Sequence, residues 1–210
     1  DANGNLVRTY PGRLMHTGPS VADTASSVCT EPMSPGKGFP SVVFTGHRRP
    51  VLAAAFLGDR VLTGSQDCAA RVFDAKTGQC ILELQGHGGA VQSVRVSPDG
   101  TKAVTSAADR VVRVFDLATG KCDAEIELKA EVFAVAFSQD GRRVLAASGR
   151  SARLFDAATG AAQQCLMGHA AALYTAGFSP DGAAVVTASD DKTARVFDAS
   201  TGECKQTLAG

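Results

Sequence analysis

The residues with the most evident chemistry are histidines, serines and aspartates. His87, Asp109 and a neighbouring serine have the makings of a hydrolytic triad, in which a carboxylate orients an imidazole that activates a hydroxyl. The spacing argues otherwise. The same pairing recurs as His47 with Asp67 and as His169 with Asp191, whereas an enzyme needs one site. The sequence contains no G-x-S-x-G, Walker or G-x-G-x-x-G pattern. The glycine-rich GHGG at 86–89 reads as a turn between strands, not as a phosphate cradle ahead of a helix. No catalytic residue and no cofactor is expected.

Cysteine gives no metal site either, because none of the 6 cysteines stands in a C-x-x-C or Cys/His spacing. Cys80, Cys122 and Cys204 each follow a Thr-Gly-x context, so they occupy equivalent places in a repeat. Such places lie a whole unit apart, beyond the ~7 Å that a disulfide spans. Cys29, Cys68 and Cys165 stand alone. Unpaired thiols suit a reducing compartment, and a cytoplasmic address is expected. The 21 basic and 21 acidic residues cancel, which removes the usual argument for a nucleic-acid or membrane partner but leaves room for a local basic patch. The longest apolar run, residues 51–57, falls far short of the ~20 residues needed to cross a bilayer as a helix.

The elements that position these residues repeat. RVFDAKTG (71–78), RVFDLATG (113–120), RLFDAATG (153–160) and RVFDASTG (195–202) are near copies, with aspartates at 74, 116, 156 and 198 and hence intervals of 42, 40 and 42. Gly-His pairs at 46–47, 86–87 and 168–169, and the turns SPDG (97–100), SQDG (138–141) and SPDG (179–182), keep the same phase. Repetition at such a period marks a repeat architecture. Within each period the apolar runs are short and rich in β-branched or aromatic residues, as in VQSVRV (91–96), VFAVAF (132–137) and LYTAGF (173–178). Pro, Asp and Gly then supply turn chemistry. The pattern predicts four short antiparallel strands per unit and no helix.

These landmarks resemble the WD-repeat family, over about 165 residues from Gly46 to Gly210. The resemblance implies an all-β propeller of four-stranded blades, part of a ring of about seven. Where that family closes the third strand with Trp-Asp, this chain has Phe-Asp at 73–74, 115–116, 155–156 and 197–198. Phenylalanine keeps the apolar plug between blades but lacks the indole N–H. By position, the family's structural hydrogen-bond network maps onto His47, Thr63 and Asp67; His87, Thr105 and Asp109; and His169, Thr187 and Asp191. With phenylalanine in place of tryptophan, each network is expected to lose its last link. The third unit has Leu128-Lys129 in place of Gly-His and Ser148 or Gly149 near the turn Asp, so it should be the least rigidly tied.

Blades are expected at 44–85, 86–128, 129–167 (without Gly-His) and 168–210. Residues 1–12 read as the tail of a preceding blade, and 13–43, rich in Pro, Ser and Gly, as an insertion or a degenerate blade. The arginines 71, 113, 153 and 195 share a strand face with the phenylalanine two residues on. Each stem is expected to lie over that ring with its head toward the rim. The resemblance implies partner contacts at Leu52, Gln92, Phe133 and Tyr174 and at Gln66, Ala108, Ser148 and Asp190. Arg48 and Arg49 add charge for steering an acidic partner. The expected function is a noncatalytic scaffold that binds proteins or peptides within a larger complex, with no nucleic-acid or membrane partner. The alternatives are a structural component of cilia, centrioles or microtubules, with a cytoskeletal or ciliary address, and the substrate-recognition propeller of a larger regulatory enzyme complex.

Overall fold

The computed structural model describes residues 42–209; the expected blade tail at 1–12 and nearly all of the insertion at 13–43 lie outside them. Every described element is a strand. The first sheet holds β1 (Val51–Leu57), β2 (Arg60–Ser65), β3 (Ala70–Asp74) and β4 (Cys80–Leu84). The second holds β5 (Val91–Val96), β6 (Lys102–Ala107), β7 (Val111–Asp116) and β8 (Cys122–Glu127). The third holds β9 (Val132–Phe137), β10 (Arg143–Ser148), β11 (Ser151–Asp156) and β12 (Ala162–Leu166). The fourth holds β13 (Leu173–Phe178), β14 (Ala184–Ser189), β15 (Thr193–Asp198) and β16 (Cys204–Ala209). Each sheet is a simple antiparallel meander in chain order, as the alternation of short apolar runs with turn residues predicts.

The turns that close these hairpins are built by side chains. Asp74 Oδ1 accepts from the backbone N–H groups of Lys76 and Thr77 and from the Thr77 hydroxyl. Asp116 and Asp156 repeat the arrangement with Thr119 and Thr159. An aspartate that bonds its own following backbone fixes the turn locally. Gly78 at φ +72° then takes the left-handed conformation that a side chain would strain.

Three buried clusters join the sheets. Leu62, Val72 and Leu84 of the first pack with Val91, Val94 and Phe115 of the second. Val104, Val112 and Ile126 meet Val135 and Phe155, and Leu145, Leu154 and Leu166 meet Leu173 and Phe197. Phe115, Phe155 and Phe197 of the Phe-Asp pairs thus plug the seam with the preceding sheet. Phe73 has Phe44 as its neighbour, ring centroids 5.5 Å apart. A Cβ on Gly78 would meet Val43 O and Val42, just as one on Gly120 would meet Leu82 and one on Gly160 would meet Ile126. Val42–Phe44 therefore runs where the outer strand of a preceding sheet would run.

Apart from Phe73, buried beside Phe44, the two outermost faces are largely open among the described residues. Val186 is 46% exposed where its counterparts Leu62, Val104 and Leu145 are fully buried. Val51 is 50% exposed where Val91, Val132 and Leu173 are fully buried. The sequence is apolar at both faces because every sheet carries the same pattern, whether or not a neighbour covers it.

Candidate functional site

At the end of the sheets that carries the Gly-His segments, three networks assemble as the sequence suggests. His47 Nε2 lies 2.7 Å from Thr63 Oγ1, and Nδ1 lies 3.0 Å from Asp67. The Thr63 hydroxyl donates to Arg71 O, and Asp67 accepts from the N–H groups of Arg48 and Ala69. His87, Thr105 and Asp109 repeat this at 2.7 and 3.0 Å, and His169, Thr187 and Asp191 at 2.8 and 2.8 Å. The aspartate ties the loop before the first strand to the turn after the second, so the network is an internal clamp.

The arginines depart from the expected arrangement. Arg71 and Arg113 do not send their heads to the rim but turn them into the clamp. Arg71 donates to Asp67 at 2.8 Å and to Glu83 at 3.1 Å; Arg113 donates to Asp109 at 3.1 Å and to Glu125 at 2.9 Å. Phenylalanine offers the threonine hydroxyls no N–H, and among the described residues their only partners are the imidazole and a backbone carbonyl. The guanidinium adds a link at the aspartate end instead, and a glutamate paired across from it on the next strand completes its charge. Gly46 and Gly86 matter here through φ values of 145° and 124°, which a side chain would strain, and a Cβ on Gly86 would also press on Arg113.

Burial alone would raise the Asp67 and Asp109 carboxyls, but their backbone and side-chain hydrogen bonds outweigh it and hold both below the ordinary 3.8. Burial pushes the His87 imidazole below 6.5, against the pull of Asp109. A group whose folded pKa is lowered stabilises the fold fully above its unfolded pKa and loses that contribution as pH falls. Melting temperature is therefore expected to begin falling below about pH 6.5 through His87, and to fall more steeply below about pH 4 through the aspartates. A wild-type melting temperature unchanged between about pH 7 and 5 would contradict the first step.

The third sheet keeps no clamp. Its β10–β11 turn is the two-residue Gly149-Arg150, with Gly149 at φ +57°, the position at which a tight hairpin calls for glycine. The other sheets use the longer turns 66–69, 108–110 and 190–192, which hold the aspartate. Ser148 is buried and donates to Ala130 O at 2.8 Å, as Ser65 does to Arg49 O and Ser189 to Ala171 O. Ser148 is thus a tie between loops and not a rim residue, contrary to expectation.

The rim residues share one backbone device that the sequence did not reveal. In every first strand the pairing skips a residue next to the end: Leu52, Gln92, Phe133 and Tyr174. A bulge of this kind re-aims a side chain out of the ladder. Tyr174 is 52% exposed, and its phenol, facing the Asp190 charge and hydrogen-bonded to it, is raised above its usual pKa. Phe133 and Gln92 are half-buried, whereas Arg48, Arg49, Gln66 and Asp190 are exposed. Among the described residues no cluster of His, Cys, Asp and Glu is arranged to hold a metal ion, and no helix is long and apolar enough to cross a membrane.

Four-stranded meanders, stacked through a phenylalanine plug and clamped by His, Thr and Asp, are blades of a β-propeller. The family model described as WD domain, G-beta repeat matches residues 38–74, 78–116, 120–156 and 160–198, and the chain belongs to that family. It is 43% identical over 53 residues to the WD repeat-containing protein pop1 of Schizosaccharomyces pombe, covering 25% of this chain and 7% of that protein. It is 33% identical over 54 residues to the sterol regulatory element-binding protein cleavage-activating protein of Xenopus laevis, covering 26% of this chain and 4% of that one. The matched stretches are thus a small part of either relative.

Proposed function

We propose that the chain is a noncatalytic interaction platform, part of a larger ring, that docks proteins on the rim carrying the bulged residues. WD-repeat propellers bind other proteins, and the observation that carries the reading here is the bulge itself. It frees one side chain per blade, at the same end of each, from any duty in strand pairing. The half-buried Phe133 and the exposed Tyr174 offer the aromatic surface that anchors partners, and Arg48 and Arg49 offer steering charge. The recurrence of the His–Asp pairs as clamps supports a role without catalysis. On this reading the protein works in the cytoplasm as one subunit of an assembly.

Tyr174→Ala and Arg48→Ala in the full-length protein are expected to reduce recovery of its partners several-fold, with unchanged circular dichroism and melting temperature. If both variants fold and every partner is retained, the docking face lies elsewhere.

A further inference from the structure

The arginine of the third strand is kept in all four blades, but its partners are not. Arg71 and Arg113 each bond two carboxylates. In the third blade the short turn has removed the aspartate, and the residue paired with Arg153 is Cys165 in place of a glutamate. The Gly-His platform is replaced by a buried Leu128 and an exposed Lys129. Among the described residues Arg153, half-buried, forms no ion pair with any acid. Arg150 stands exposed in the turn above it.

The fourth blade repeats the imbalance by another route. Arg195 is paired with Thr207, and Asp191 is taken by His169 and Thr193. The Arg195 Nε is buried and has no hydrogen-bond partner, an arrangement that costs free energy unless something fills it. The two blades are joined at this rim, since Leu173 N–H donates to Gly149 O at 2.7 Å. Of the exposed acids nearby, Asp190 is engaged by Tyr174, which leaves Glu127 and Glu131 against Lys129, Arg150, Arg153 and Arg195. A chain with no net charge therefore carries a local excess of positive charge here.

We infer that the rim of the third and fourth blades is a carboxylate-binding surface, and that an acidic segment of a partner protein lies across it. Its carboxylates meet Arg153 where Asp67 and Glu83 meet Arg71 in the first blade, and Arg195 where Glu83 meets Arg71. Lys129 and Arg150 stand at the mouth and draw the segment in. A peptide suits the surface better than a nucleic acid, because Glu131 and Asp190 interrupt it and would repel an unbroken row of phosphates. The inference rests on the interaction reading above and names the chemistry of the partner.

The test is fluorescence anisotropy of a labelled octaglutamate peptide titrated with the full-length protein. Binding that weakens with salt is expected, with a loss on the order of tenfold in the Arg150→Ser/Arg153→Gln variant. Arg150→Ser alone, in an exposed turn, is expected to give a smaller loss with no effect on folding. Arg142→Ser, in the turn at the opposite end of the third sheet, is expected to leave affinity unchanged. No binding of the peptide, equal binding by the Arg150 and Arg153 variants, or tighter binding of an oligothymidylate of the same charge would each overturn the inference. Should Tyr174→Ala still lose its partners while octaglutamate fails to bind, the docking face stands and only its acidic ligand falls.

Discussion

Truncation of Phe115 to Ala is expected to lower the unfolding free energy by about 4 kcal/mol, the usual cost of emptying a buried aromatic site. The ring is 1% exposed and fills the seam between the first and second sheets. Those sheets meet through side chains, so the cavity cannot close without shifting a whole sheet. Phe56 is 70% exposed on the uncovered face of the first sheet. Its replacement by Ala is expected to cost no more than about 0.5 kcal/mol in this chain. Urea unfolding of the two variants decides the matter. Equal midpoints would mean that the seams do not carry the stability.

A second large effect is expected at Asp109. Its carboxylate holds His87, Arg113 and the N–H groups of Gly88 and Val111. Removing it in Asp109→Ala leaves Arg113, itself 8% exposed, with Glu125 alone, and a cost of about 3 kcal/mol is expected. Removing the arginine as well, in Asp109→Ala/Arg113→Met, is expected to recover part of that loss, since no uncompensated charge remains. A double variant as unstable as the sum of the single ones would show that the aspartate acts through its backbone bonds alone. Both sets of measurements treat the chain in one background, which keeps the comparison internal.

The strand order and the clamp residues were legible from the repeat, because turn aspartates, Gly-His pairs and Phe-Asp pairs each mark a fixed point of the blade. The resemblance to the family's Trp-Asp position put Phe115, Phe155 and Phe197 between blades, where they lie. The behaviour of Arg71 and Arg113 was not legible. Alternation fixes the face of a strand on which a side chain sits, but a long flexible side chain then chooses among partners that only register reveals. The glutamates at 83 and 125 come within reach through strand pairing and not through sequence distance. The bulges at Leu52, Gln92, Phe133 and Tyr174 were equally hidden, since one residue left out of a ladder has no composition of its own. The short turn Gly149-Arg150 was visible as a missing aspartate. Its consequence for Arg153 follows only once that arginine is seen beside Cys165.

The bulge separates two kinds of duty within each blade. Residues inside the ladder answer to their neighbours on both sides, so a change at Val91 or Ala134 is felt in the seam. The skipped residue has no place in the ladder. Leucine, glutamine, phenylalanine and tyrosine occupy the same place in four otherwise similar sheets. A lineage can therefore rewrite what this surface recognises, one residue per blade, without renegotiating how the blades hold together.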